Sequence, residues 1–86
     1  MISQEELERL REVKDRHQLE LLNKPNVVGV GIGFRHRRGR RTSEAAIVVS
    51  VTEKVPESDL AADEVIPEEL EGVPVDVQAT GPIRAL

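Results

Sequence analysis

Val27-Val28-Gly29-Val30-Gly31-Ile32-Gly33-Phe34-Arg35 is the stretch on which the fold turns. Its pattern has a period of two, so Val28, Val30, Ile32 and Phe34 share one face of a strand, while Val27, Gly29, Gly31 and Gly33 share the other. Residues 44 to 53 repeat the alternation, with Ala45, Ile47, Val49 and Val51 against Ala46, Val48, Ser50 and Thr52. Between the two runs lies Arg35-His36-Arg37-Arg38-Gly39-Arg40-Arg41-Thr42, one glycine flanked by like charges. Residues 35 to 42 therefore read as the tip of a local antiparallel hairpin.

Upstream, Ser3-Gln4-Glu5-Glu6 is a capping box that predicts a helix over residues 4 to 22. At 100° per residue, Leu7, Leu10, Val13, His17 and Leu21 form one apolar stripe, and Asn23 followed by Pro25 ends it. Leu19 lies opposite that stripe. Downstream, Pro67, the acids after it and Gly72 predict a single helical turn anchored by Ile66 and Leu70. Val73, Val75, Val77 and Ala79 then alternate with Pro74, Asp76, Gln78 and Thr80, giving a strand over 73 to 79, and residues 81 to 86 form a tail. The expected fold is α+β in a single domain: one long N-terminal helix packed on an antiparallel sheet of about three strands. Its core would be Val28, Val30, Ile32, Phe34, Ile47, Val49 and Val51.

At 86 residues, with 38% hydrophobic side chains, one phenylalanine and no Trp, Tyr or Cys, the core must be aliphatic and thin. A multi-domain enzyme is excluded by length, and the missing cysteines exclude a disulfide framework and a Cys-bearing zinc site. Neither a signal-peptide pattern nor a run of about 18 apolar residues is present, so no membrane partner is expected and the location is expected to be cytoplasmic. The net charge of -4 is unevenly spread: residues 35 to 41 carry five arginines, whereas residues 42 to 86 carry ten acidic and two basic side chains.

Gly29-Val30-Gly31-Ile32-Gly33-Phe34 is not a dinucleotide fingerprint, because Phe34 stands where a third spaced glycine is required and the run sits inside a strand. Two readings of the stripe stand: close packing within the chain, or backbone left accessible to a partner. One helix covers one side of a sheet, so Val27, Gly29, Gly31, Gly33, Ala46, Val48 and Ser50 are the candidate interface. His17 reads as a semi-buried or boundary helix residue and His36 as a solvated loop residue or an accessory to an anion site, and neither has a neighbouring nucleophile in sequence. The carboxylates Asp59, Asp63, Glu64, Glu68, Glu69 and Glu71 lack calcium-loop spacing and read as a solvated flank. No catalytic residue, cofactor or metal is therefore expected. Arg35, Arg37, Arg38, Arg40 and Arg41 are candidates for binding an anion or a partner: the acidic 57 to 71 segment of this or a neighbouring chain, or nucleic acid, with plain solubility as the bland reading.

The ordered set Asn26-Val27-Val28-Gly29-Val30-Gly31-Ile32-Gly33, Ala46-Ile47-Val48-Val49-Ser50-Val51, Lys54-Val55-Pro56, Ile66-Pro67 and Gly72-Val73-Pro74-Val75-Asp76-Val77 resembles a small N-terminal module found ahead of trypsin-like serine peptidase domains in bacterial proteins. The resemblance spans about residues 24 to 86, with Gly81-Pro82-Ile83-Arg84-Ala85-Leu86 as the connector toward the peptidase. It implies association and no activity, since no Gly-Asp-Ser-Gly-like segment exists and the five-arginine tip is more basic than the family pattern. Three functions follow as expectations. The first is a non-enzymatic protein-protein interaction or self-assembly module forming a homo-oligomer. The second, implied by the resemblance, is a prodomain-like inhibitor or chaperone of a serine peptidase in trans, with Ile83, Arg84, Ala85 and Leu86 in the substrate cleft. The third is nucleic-acid binding through the arginine hairpin.

Overall fold

A computed structural model describes residues 2–81. Helix α1 runs Gln4–Leu22, as the capping box and the apolar spacing predict. The Ser3 hydroxyl accepts from the Glu6 amide at 3.1 Å, satisfying one of the donors a helix leaves open at its start. Asn23 closes the far end in a right-handed conformation, and the left-handed residue of this turn is Asn26, at φ 66°.

Among the described residues four strands follow: β1 Val27–Arg37, β2 Arg40–Val51, β3 Glu69–Leu70 and β4 Val73–Ala79. Their order across the sheet is β1-β2-β4-β3. The β1/β2 and β3/β4 pairs are antiparallel, but β2 and β4 run parallel, from Ile47 opposite Val75 to Val51 opposite Ala79. The sheet is thus mixed and four-stranded, where an antiparallel sheet of about three strands was expected. The cause is the crossover after β2. Residues 52 to 68 return along the sheet through two short 3-10 turns, Glu57–Asp59 and Ala62–Glu64, so that the last strand enters in the direction of β2.

Two local departures share one explanation. The hairpin tip is a two-residue turn, Arg38-Gly39, with the strands continuing through Arg37 and Arg40 in place of the longer tip expected over 35 to 42. The helical turn expected near Pro67 is absent. Glu69–Leu70 is extended, and Glu71-Gly72 is a second two-residue turn joining Leu70 to Val73. In both turns the two central residues have positive φ: 53° and 76° at Arg38-Gly39, 50° and 81° at Glu71-Gly72. That geometry matches the twist of paired strands, and glycine at the second position admits it without strain.

Leu10, Val13 and Leu21 of α1 pack with Ile47, Val49, Val51, Val73 and Val75 on one face of the sheet, and Leu21, Ile47, Val13 and Val49 are fully buried. Each such side chain contributes roughly 1.5–3 kcal/mol of burial. Val30 and Ile32 flank this core as expected; Val28 and Phe34 do not belong to it. A register shift between Val27 and Gly29 places Val27 opposite Val51 and packs it against the core, leaving Val28 41% exposed. A bulge of this kind adds one residue to a strand and so inverts the alternation on one side of it. Leu19 is 78% exposed, opposite the buried stripe.

Candidate interaction surface

The sheet face away from α1 carries Gly29, Gly31 and Gly33 from β1, Ala46, Val48 and Ser50 from β2, and Asp76 and Gln78 from β4. It is closed at one end and open at the other. At the closed end the His36 amide donates to the Asp76 carboxylate at 3.0 Å, and the Gln78 amide lies 2.7 Å from His36 Nδ1. These bridges tie β4 to the distal part of β1, across the intervening β2, where Ala46 is completely buried. Burial pushes the Asp76 carboxyl up, but hydrogen bonds from Gln78 and the His36 amide, helped by the charges of His36 and Lys54, outweigh it and hold the group below its ordinary value. His36 is exposed, as expected, but it belongs to β1 instead of a loop and bridges to β4.

Gly29, Gly31, Gly33, Val48 and Ser50 are half-buried and line a shallow trough of about 560 Å³ that runs along this face as far as Phe34, His36, Arg41 and Gln78. The three glycines do not serve one purpose. A Cβ on Gly33 would lie 3.0 Å from Val48 Cγ2, closer than most such contacts, so a side chain here would force Val48 to shift and glycine suits the chain's own packing. A Cβ on Gly29 would meet Ser50 Cβ at an ordinary 3.9 Å. A Cβ on Gly31 would meet nothing within 4 Å, and its φ is not positive. Nothing among the described residues calls for glycine at position 31. Of the seven residues expected at this surface, Val27 and Ala46 are withdrawn, the first turned to the core by the bulge and the second sealed. Gly29, Gly31, Gly33, Val48 and Ser50 line the trough together.

The arginines divide likewise. Arg35 Nη1 donates to Glu44 Oε1 at 2.9 Å, and the Arg41 guanidinium lies 4.6 Å from the centre of the Phe34 ring. Arg37, Arg38 and Arg40 are exposed and, among the described residues, make no ion pair. The tail residues Ile83, Arg84, Ala85 and Leu86 lie outside the described residues.

One constellation was missed by sequence reasoning. Glu71, expected in a solvated acidic flank, accepts two hydrogen bonds from the Arg16 guanidinium at 2.9 Å each and a third from His17 Nε2 at 2.9 Å, while Arg9 donates to its backbone carbonyl. The Arg16 bonds first, then the one from His17, hold the Glu71 carboxyl at about 2, against an ordinary 4.5, and the same contact raises Arg16. Arg9, Arg16 and His17 sit seven and one residues apart, on one side of α1. The signal in the sequence was Glu-Gly directly before an alternating run, which marks a hairpin turn as well as a helix stop. His17 also lies 3.7 Å from Glu20. Both histidines thus have carboxylate or amide partners in place of a nucleophile. Among the described residues no three His, Asp or Glu side chains gather as a metal site, and no helix is long and apolar enough to cross a membrane.

The family model of the NARROW LEAF 1 N-terminal domain matches residues 4–80, from the first turn of α1 to the end of β4. The chain belongs to that family. No curated protein matches it. Because the match is to this plant-type domain, the resemblance to a bacterial module preceding trypsin-like peptidases is overturned. With it go the bacterial source, the peptidase association and the prodomain-like role given to the tail.

Proposed function

We propose that this NARROW LEAF 1 N-terminal-type domain is a non-enzymatic interaction module that associates with a second copy of itself through the open end of the trough. The observation that carries this reading is Gly31. Its missing side chain faces empty space, and the small neighbours Gly29 and Ser50 keep the surface low enough for another backbone or apolar side chain to approach. Val48 supplies apolar area there. An 86-residue chain with so thin a core gains from burying this face, because small domains hide a smaller share of their surface than large ones.

The test is a pair of solution masses. Light scattering at micromolar concentration should give a mass above the 9.5 kDa of one chain. In the same measurement at about 500 mM salt, where contacts between charges are screened, the parent should stay above that mass, while Gly31→Arg, whose Cβ meets no described atom of its own protomer, should keep the circular dichroism of the parent and fall to the mass of a single chain. A parent protein that is a stable monomer, or a Gly31→Arg variant that associates as the parent does, removes the reading.

A further inference from the structure

At the opposite end of β2 from the hairpin tip lies an apolar hollow of about 210 Å³. Val51, Val55, Leu60, Val65, Ile66 and Val77 form its walls, and Glu53, Glu57 and Glu64 stand at its edge with a single cation, Lys54. Glu64 accepts from the Ala61 amide, while Glu53 and Glu57 make no ion pair among the described residues. At the far end of the molecule Arg37, Arg38 and Arg40 are equally unpaired. Arg40 begins β2 and Val51 ends it, eleven residues later. That separation is roughly 36 Å at about 3.3 Å per residue, close to the molecule's longest extent of 35 Å. The tip cannot reach the hollow of its own chain.

We infer that the arginine tip of one copy docks in the acid-edged hollow of the next, joining copies head to tail. The chemistry of the two surfaces is complementary. The aliphatic stem of an arginine packs along apolar walls while its guanidinium pairs with carboxylates at the edge. The tight Arg38-Gly39 turn presents those side chains at the narrow apex of a hairpin, a shape that enters a hollow. Because two different patches meet, the contact is heterologous and repeats from copy to copy, closing into a ring or continuing as a chain. This interface is separate from the trough and holds even if the trough binds nothing.

Charge exchange between two variants of the full chain tests it. One carries Arg37→Glu, Arg38→Glu and Arg40→Glu, the other Glu53→Lys and Glu57→Lys; all five positions are exposed, and circular dichroism checks the fold of each. Sedimentation velocity at about 50 mM salt, where charges act over a longer range, should show the parent associating and each variant alone associating about tenfold or more weakly. Mixing the two variants in equal amounts should restore association, since every tip then meets a hollow of opposite charge. Association of the parent should fall on raising salt to about 500 mM, and Gly31→Arg should leave this salt-dependent component in place. The inference is overturned if the tip-reversed chain associates like the parent, if the mixture fails to recover, or if Gly31→Arg removes the salt-dependent component. It is equally overturned if the parent stays a monomer at low salt while its arginines bind a mixed-sequence oligonucleotide, which would assign the tip to nucleic acid.

Discussion

Arg38-Gly39 and Glu71-Gly72 are the same turn used twice, each joining antiparallel strands through a charged residue and a glycine at positive φ. Their surroundings differ in every other respect. Glu71 is gripped by Arg16 and His17 of α1, so its turn fastens the far edge of the sheet to the helix. Arg38 projects from a hairpin end with no ion pair among the described residues to hold it. A charged residue in a strained backbone conformation is thus tolerated for two reasons: in one turn its side chain anchors the fold, and in the other it stays on offer to the exterior.

The widest separation between the turns should come from valine in place of each glycine. Gly72→Val forces a β-branched side chain to positive φ in an anchored turn, and thermal unfolding should show a loss of about 2 kcal/mol, or roughly 8–16 °C in Tm. The added Cβ itself would find only ordinary contacts, 3.8 Å to Arg9 Nη2 and 4.0 Å to Glu69 Oε1, so the loss is one of backbone strain. Gly39→Val imposes the same strain where the hairpin end can fray alone, and the global loss should be clearly smaller. Equal losses would break the comparison.

Next in size is the acid response. Because Glu71 has a folded-state value near 2 and an ordinary value of 4.5, it contributes in full above about pH 4.5, and that contribution drains away as pH falls toward 2. Glu71→Gln should therefore lower Tm at neutral pH and flatten its decline between pH 4.5 and 2. A variant whose acid decline parallels the parent's would show that the grip on Glu71 carries no stability. The smallest effect has the opposite sign. Arg38→Asn places at the first turn position a residue that accepts left-handed geometry, and should raise stability by about 0.5 kcal/mol in the same melting experiment.

Local periodicity made much of this legible. The capping box and the 3.6-residue stripe give α1 its bounds, and alternation places β4 at residues 73 to 79. The reversal at Val27 and Val28 could not be read, because two adjacent valines satisfy either facing and only the pairing with Val51 selects one. The parallel entry of β4 depends on the path of residues 52 to 72, a segment of prolines and acids without strong periodicity. The trough was legible as a stripe of small residues, but not the different duties of Gly31 and Gly33, which depend on where Val48 stands. The Glu71 grip spans 55 residues to Arg16 and leaves no local mark beyond the Glu-Gly pair.

The last strand among the described residues, β4, lies inside the sheet, between β2 and β3. During synthesis, α1, β1 and β2 can assemble as soon as they emerge, yet one border of β2 keeps its amides and carbonyls bare until the residues through Ala79 have been made. Throughout that interval, the β4 segment of another nascent chain is as good a match for the gap as the chain's own, so dense translation of one message favours strand exchange between neighbours.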